Sequence, residues 1–229
     1  MTTLVLWDID LTLVDYTGVG RRWYTEALTS AVGVPLKHLP SFPGRTERSL
    51  ARELLAAHDV EHTDEHVERF FASLTAIAEQ ERPSLPSFGR ALDGAAEILA
   101  ALNERDGVVQ SLVTGNLPTL ASYKLAAFGL DRHVDFEIGG YGSLSEHRHE
   151  LVGAAIAQAS AKHGVDFPVT SVVVIGDTPL DIAAGRHHGT TTVGVATGRF
   201  TVEELAESGA HVALPDLADT PTVLKALLR

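Results

Sequence analysis

The sequence predicts an α/β fold, a parallel sheet covered by helices on both faces, with a small all-helical domain beside it. Three observations predict this. From residue 91 onward, short apolar β-branched runs alternate with helix-length segments at the spacing of β-α-β units. Residues 19–80 are rich in helix formers and histidine and hold no run that reads as a strand. Between these textures, Arg82-Pro83-Ser84-Leu85-Pro86-Ser87 reads as a hinge. The expected division is a core of residues 1–14 and 84–229 and a helical domain of residues 15–83.

The elements follow in order. Residues 4–9 are an apolar run broken by Asp8, the pattern of a buried parallel strand that ends in polar residues. After the helical stretch come a helix near 91–104, a strand over 108–113, a helix over 118–128 and a short strand over 134–138. A helix near 148–163, a strongly β-branched strand over 172–175, a helix over 179–187 and a strand over 191–195 continue the alternation. Thr201-Val202-Glu203-Glu204 has the spacing of a capping box and opens a helix before a final strand and helix.

Composition narrows the function. At 229 residues, 45% of them hydrophobic and 21% charged, the chain can bury a sizeable core. Eighteen basic against thirty acidic residues give a net charge of -12, which repels nucleic acid; acting on a phosphate ester then calls for local positive charge, most simply a divalent cation. Cysteine is absent, so disulfides, thiolate metal sites and cysteine nucleophiles are excluded. No stretch approaches the ~18 apolar residues of a membrane span, and the N-terminus has no basic leader, so a cytoplasmic protein is expected.

In open α/β sheets, ligands bind beyond the carboxyl ends of the strands. Three predicted strand ends are unusual: Trp7-Asp8-Ile9-Asp10-Leu11-Thr12, Val113-Thr114-Gly115-Asn116, and Gly176-Asp177-Thr178-Pro179-Leu180-Asp181. Asp8, Asp10, Asp177 and Asp181 would then meet at one edge. That much negative charge needs a cation, and an all-oxygen set suits Mg²⁺. Asp177 and Asp181 equally suit a helix N-cap and first turn, and Thr114 to Pro118 a strand exit before a helix that starts at proline.

These motifs, in this order, resemble the haloacid dehalogenase superfamily, whose phosphatases carry Asp-x-Asp-x-Thr after the first strand, Ser or Thr after the second, a basic residue, and Gly-Asp-x-x-x-Asp after the fourth. The resemblance implies that Asp8 attacks phosphorus and binds Mg²⁺, that Asp10 binds it through its backbone carbonyl, and that Asp177 completes the protein ligands. It also implies a helical cap over the site. The chemistry fits these residue types: a carboxylate can form an acyl phosphate that water hydrolyses, and Asp10 can protonate the leaving oxygen and then deprotonate the water. Thr114, with nearby backbone at Gly115 and Asn116, is expected to hold the phosphoryl oxygens, and Asp181, one turn after Asp177, to face the same site. Asp10 favours phosphoryl transfer over dehalogenation, whose enzymes generally lack an aspartate there.

The family's basic residue is usually lysine, and Glu146-His147-Arg148-His149 offers Arg148 instead, whose planar fork differs from an ammonium. Lys124 is the rival, expected to point away from the strand ends because it lies about two turns into its helix. In the helical domain, Pro43-Gly44-Arg45-Thr46 is expected to present Arg45 to a substrate carboxylate or phosphate. His58, His62 and His66 repeat every four residues but are interrupted by helix-end residues, which speaks against a second metal. The expected partner is a small phosphorylated metabolite, by resemblance phosphoglycolate-like. A β-phosphoglucomutase-like mutase and a catalytically impaired binding module are the alternatives.

Overall fold

The computed structural model describes residues 2–228. β1 (Thr3–Trp7) is followed by β2 (Val14–Asp15), the helices α1 (Val19–Val32), α2 (Glu47–Ala56) and α3 (Asp64–Glu81), the one-turn α4 (Leu85–Phe88) and β3 (Arg90–Ala91). β2 and β3 pair antiparallel and so close the two ends of the helical insert into a short hairpin. The chain continues as α5 (Ala95–Asn103), β4 (Val108–Thr114), α6 (Pro118–Ala126), β5 (Gly140–Tyr141), α7 (Arg148–His163), β6 (Val172–Gly176), α8 (Pro179–His187), β7 (Thr191–Val195), α9 (Val202–Glu207), β8 (Val212–Leu214) and α10 (Thr220–Leu227).

Six strands form one sheet of order β5-β4-β1-β6-β7-β8, every neighbouring pair parallel. The chain runs from β1 to β4 and β5 on one side and then crosses back to β6, β7 and β8 on the other, which makes the gaps beside the carboxyl end of β1 the switch point where such sheets bind ligands. The period-two pleat sorts the side chains. Val5 and Trp7 of β1 with Val173 and Ile175 of β6 enter one core with α5, α6 and α10. Leu4, Leu6, Val172 and Val174 enter the other, against α7 and α8. Trp7, fully buried, also donates its indole N–H to Gln110 of β4 at 3.1 Å, so its polar atom is satisfied inside the core.

The insert is helical because its apolar residues recur at helical spacing. Trp23, Tyr24, Ala27, Leu28 and Ala31 form the buried stripe of α1. Val67, Phe70, Phe71, Leu74, Ile77 and Ala78 form that of α3. Thr46 and Thr63 cap α2 and α3 by accepting from Ser49 N and His66 N.

One local expectation fails. Residues 134–138 are not a strand: 3₁₀ turns occupy Asp131–His133 and Phe136–Ile138, and the strand is the shorter β5. Asp135 accepts from Glu137 N, a local bond that competes with extended pairing. The stretch 82–87, expected as a hinge, is folded as the 3₁₀ turn Arg82–Ser84 running into α4, since each proline sits in a first turn, where its missing N–H costs nothing. Among the described residues no helix is long and apolar enough to cross a membrane.

Candidate active site

Asp8 leaves β1 still in the sheet register, its N–H donating to Ile175 O at 2.9 Å. The chain then turns sharply. Ile9 O accepts from Leu13 and Val14 N–H at 2.9 and 3.1 Å, and Leu11 takes a left-handed φ of 58°. Leu11 N donates to Val14 O at 2.7 Å and Thr197 Oγ1 to Leu11 O at 2.5 Å, so the turn is held from two sides. As a result Asp8 is buried while the Asp10 side chain stays 41% exposed.

Asp177 and Asp181 come to Asp8 from the end of β6 and the first turn of α8. Each of the three offers a carboxylate oxygen, and these lie within 4.8 Å of one another, all buried. Asp181 is set by a capping box in which its Oδ2 accepts from Thr178 N at 3.1 Å and Thr178 Oγ1 at 2.7 Å. Gly176 makes room, since a Cβ there would stand 2.1 Å from Asp181 Cγ.

Arg148, at the first position of α7, reaches into this cluster. Its Nη2 lies 2.7 Å from Asp8 Oδ1 and 2.6 Å from Asp181 Oδ1. It also donates to Val113 O at 3.1 Å, while Nη1 donates to Gly44 O at 3.2 Å. Burial alone would favour a neutral Arg148, but Asp181 and Asp8 hold its pKa above the ordinary value and keep it charged. Burial still pushes Asp8 well above the usual carboxylate range; Arg148 counters this and Asp181 and Asp10 add to it. Asp177 is pushed up to about 9 by burial, then by Asp181 and Asp8. One guanidinium therefore does not neutralise three buried carboxylates, and the excess charge together with the all-oxygen donors suits a hard divalent cation.

Lys124 does not point away from the strand ends. Its Nζ donates to both carboxylate oxygens of Asp10 and to Asn116 Oδ1, each at 2.7 Å. The Cα–Cβ bond in a helix tilts toward the N-terminus, so a four-carbon stem starting in the second turn of α6 reaches back to the helix start, where β4 ends. Asn116 Nδ2 donates to Asp10 Oδ2 at 2.7 Å and to Thr114 Oγ1 at 2.8 Å, linking the ends of β1 and β4. Gly115 has no room for a side chain, because a Cβ would fall 2.0 Å from Arg45 O.

Arg45 lines the same cavity, but its guanidinium bonds Glu53 and donates to Ser49 O at 3.2 Å, so its charge is partnered within the insert. The insert contributes a group that sequence reasoning did not single out: Glu47, buried, accepts from Tyr24 O–H, and both face the cavity. Burial pushes Glu47 up to about 7, although Tyr24 and Lys124 pull it down. The cavity measures about 760 Å³ and lies between the strand ends and the insert. His58 is a buried structural residue: Nε2 accepts from Lys37 N at 2.7 Å and Nδ1 donates to Leu54 O at 2.6 Å. Among the described residues it joins no metal-binding group.

Comparison with known proteins agrees with this geometry. The model of the family described as haloacid dehalogenase-like hydrolase matches residues 5–186. The chain is 25% identical to "Probable phosphatase IndB" of Dickeya dadantii (strain 3937) over 242 residues, covering all of this chain and 96% of the relative. Among solved structures, a predicted phosphoglycolate phosphatase from Haemophilus somnus 129pt superposes with a TM-score of 0.69 at 20% identity, covering 97% of both chains. A hydrolase from Pseudomonas syringae does so with a TM-score of 0.65 at 23% identity, covering 98% of both. At those identities the two structures speak for the fold alone. With its motifs in order on the strand ends and the family model matching most of its length, the chain belongs to the haloacid dehalogenase-like hydrolases, and its resemblance is to the phosphatases among them.

Proposed function

We propose that the chain is a Mg²⁺-dependent phosphatase that hydrolyses small phosphate monoesters through a phosphorylated Asp8. The observation that carries this reading is the contrast between two aspartates on one turn. Asp8 is buried against Arg148, in the carboxylate cluster; Asp10, two residues on, sits at the cavity with its carboxylate fixed by Lys124 and Asn116.

An Asp8 oxygen attacks phosphorus as the bond from phosphorus to the leaving oxygen breaks, and Asp10 gives that oxygen its proton. Water then attacks the aspartyl phosphate, passing its proton to Asp10. The bond from Asp8 to phosphorus breaks, and inorganic phosphate leaves with both carboxyl groups restored. Arg148 neutralises Asp8 and the phosphoryl oxygens, while Thr114 and the backbone at Gly115 and Asn116 supply hydrogen bonds to them. Asp8, Asp177, Asp181 and the Asp10 backbone carbonyl would hold Mg²⁺, which when bound offsets the charge between carboxylate and phosphate.

Residues 15–83 serve as a cap that shields the reaction from water. Three bonds between cap and core support this: Glu47 N donates to Gly115 O and Arg48 N to Gly142 O, both at 2.9 Å, and Arg148 to Gly44 O. Phosphate release from p-nitrophenyl phosphate and from a metabolite panel, with Mg²⁺ and with EDTA, tests the proposal. Mg²⁺-dependent release is expected; equal rates in both conditions, or interconversion of sugar phosphates without free phosphate, would refute it.

A further inference from the structure

We infer that Glu47 determines specificity. It accepts a hydrogen bond from an N–H or O–H donor on the leaving group, so the preferred substrate is a phosphate monoester of a neutral or cationic alcohol with an apolar body. This rests on the phosphatase reading above but is separable from it.

Four observations carry it. Glu47 is 8% exposed yet borders the cavity that holds Asp8 and Asp10, and a carboxylate that far from water is kept only where a partner is provided. Its one hydrogen bond comes from Tyr24, through Oε2. Oε1 has no hydrogen bond and is not among the fully enclosed unpartnered atoms of the described residues. Its place is fixed relative to the reacting groups, since Glu47 N is tied to Gly115 O, one residue beyond Thr114.

The other groups around the cavity point the same way. Arg45, a cation that the insert brings to the cavity, is spent on Glu53. Lys124 is held by Asp10 and Asn116. Trp23, Phe42, Leu50, Leu74 and Leu120 line the remaining wall. Arg21 and Arg199 also border the cavity but are exposed, so the buried part of its wall on the insert offers a leaving group apolar surface and Glu47 as acceptor. A carboxylate would meet a like charge or force Glu47 to keep its proton, whereas a hydroxyl or ammonium pairs with it.

Matched aryl phosphates provide the probe: phenyl phosphate bearing at the para position nothing, a hydroxymethyl group or a carboxylate. Their dissociation constants are measured by calorimetry with Mg²⁺ on the Asp8→Asn chain, where turnover is removed, and again with Glu47→Gln added. The hydroxymethyl ester is expected to bind at least about tenfold tighter than the carboxylate ester, a preference of about 1.4 kcal/mol. Glu47→Gln is expected to reduce that ratio to within about threefold, because an amide donates to a carboxylate as well as it accepts from a hydroxyl. Equal or tighter binding of the carboxylate ester by the Asp8→Asn chain overturns the inference, even if the Glu47 variant fails to fold. A ratio unchanged by a folded Glu47→Gln overturns it too. Hydrolysis of unsubstituted phenyl phosphate by the wild-type chain is scored separately, so failure of the phosphatase reading is visible as lost turnover and not as a changed ratio.

Discussion

Lys124 Nζ stands 2.7 Å from both carboxylate oxygens of Asp10, across 114 residues of sequence. The pair joins α6 to the turn after β1, and Asn116 closes it into a three-residue network. Because the Asp10 side chain is partly exposed, Lys124 acts less as a source of stability than as a means of fixing where the Asp10 carboxylate points.

Replacing Lys124 by Met should therefore lower kcat with a much smaller change in KM. The loss should be at least about tenfold for alkyl phosphates, whose leaving oxygens need a proton, and smaller for p-nitrophenyl phosphate, whose phenolate leaves without one. Steady-state kinetics on the two substrate types checks this; equal losses on both would point to a merely structural lysine.

Arg148 is the only basic side chain the structure places on Asp8 and Asp181 among the described residues. Removing it by Arg148→Ala leaves buried carboxylates facing one another, and breaking such a buried pair costs about 3–5 kcal/mol. Denaturant melts without metal should show a loss of that order. Arg148→Lys should lose less but not recover the wild type, since the guanidinium meets Asp8 and Asp181 through Nη2 and Gly44 O through Nη1, two separated nitrogens that the single nitrogen of a shorter lysine does not replace.

The shifted carboxylates set a pH dependence of metal-free stability. In the folded chain Asp177 is pushed up to about 9, Glu47 up to about 7 and Asp8 upward, against ordinary values of 3.8 to 4.5. For acids raised in this way, the stabilising contribution is complete below the ordinary value and is lost as pH climbs through the folded one. Metal-free Tm should thus fall from about pH 5 toward pH 9. Mg²⁺ should oppose the fall, so the Tm it adds should grow with pH, from near zero at about pH 5 to roughly 3–6 °C at about pH 8. Differential scanning across pH with and without Mg²⁺ measures this, and Asp177→Asn should flatten it.

Gly115→Ala should lift the cap loop, since its Cβ would collide with Arg45 O. Amide exchange of Glu47 N–H, which bonds Gly115 O, should speed up by about tenfold or more while amides in β1 and β6 stay protected. Unchanged exchange at Glu47 would show that cap and core meet independently of that contact.

Much of this was legible in the sequence because it is local. The helix expected near 148–163 and the strand expected over 191–195 appear as α7 and β7 with those bounds, since periodicity and β-branching fix them. The strand ends brought Asp8, Asp177 and Asp181 together because parallel topology leaves them no other edge. What was not legible depends on directions and distant partners. Lys124 reaches Asp10 through the backward tilt and long stem of its side chain, which its position along the helix does not reveal. Tyr24 and Glu47 pair across 23 residues with no sequence pattern to announce it, and the partnering of Arg45 by Glu53 depends on how the loop before α2 folds back over that helix.

Whether Asp8 carries the phosphoryl group is tested most directly by the phosphate released by wild type and by Asp8→Asn under saturating Mg²⁺ and p-nitrophenyl phosphate. Loss of the nucleophile should reduce kcat by at least about 10³-fold while the variant keeps its fold and still binds substrate. Release by Asp8→Asn within about threefold of wild type would contradict the account.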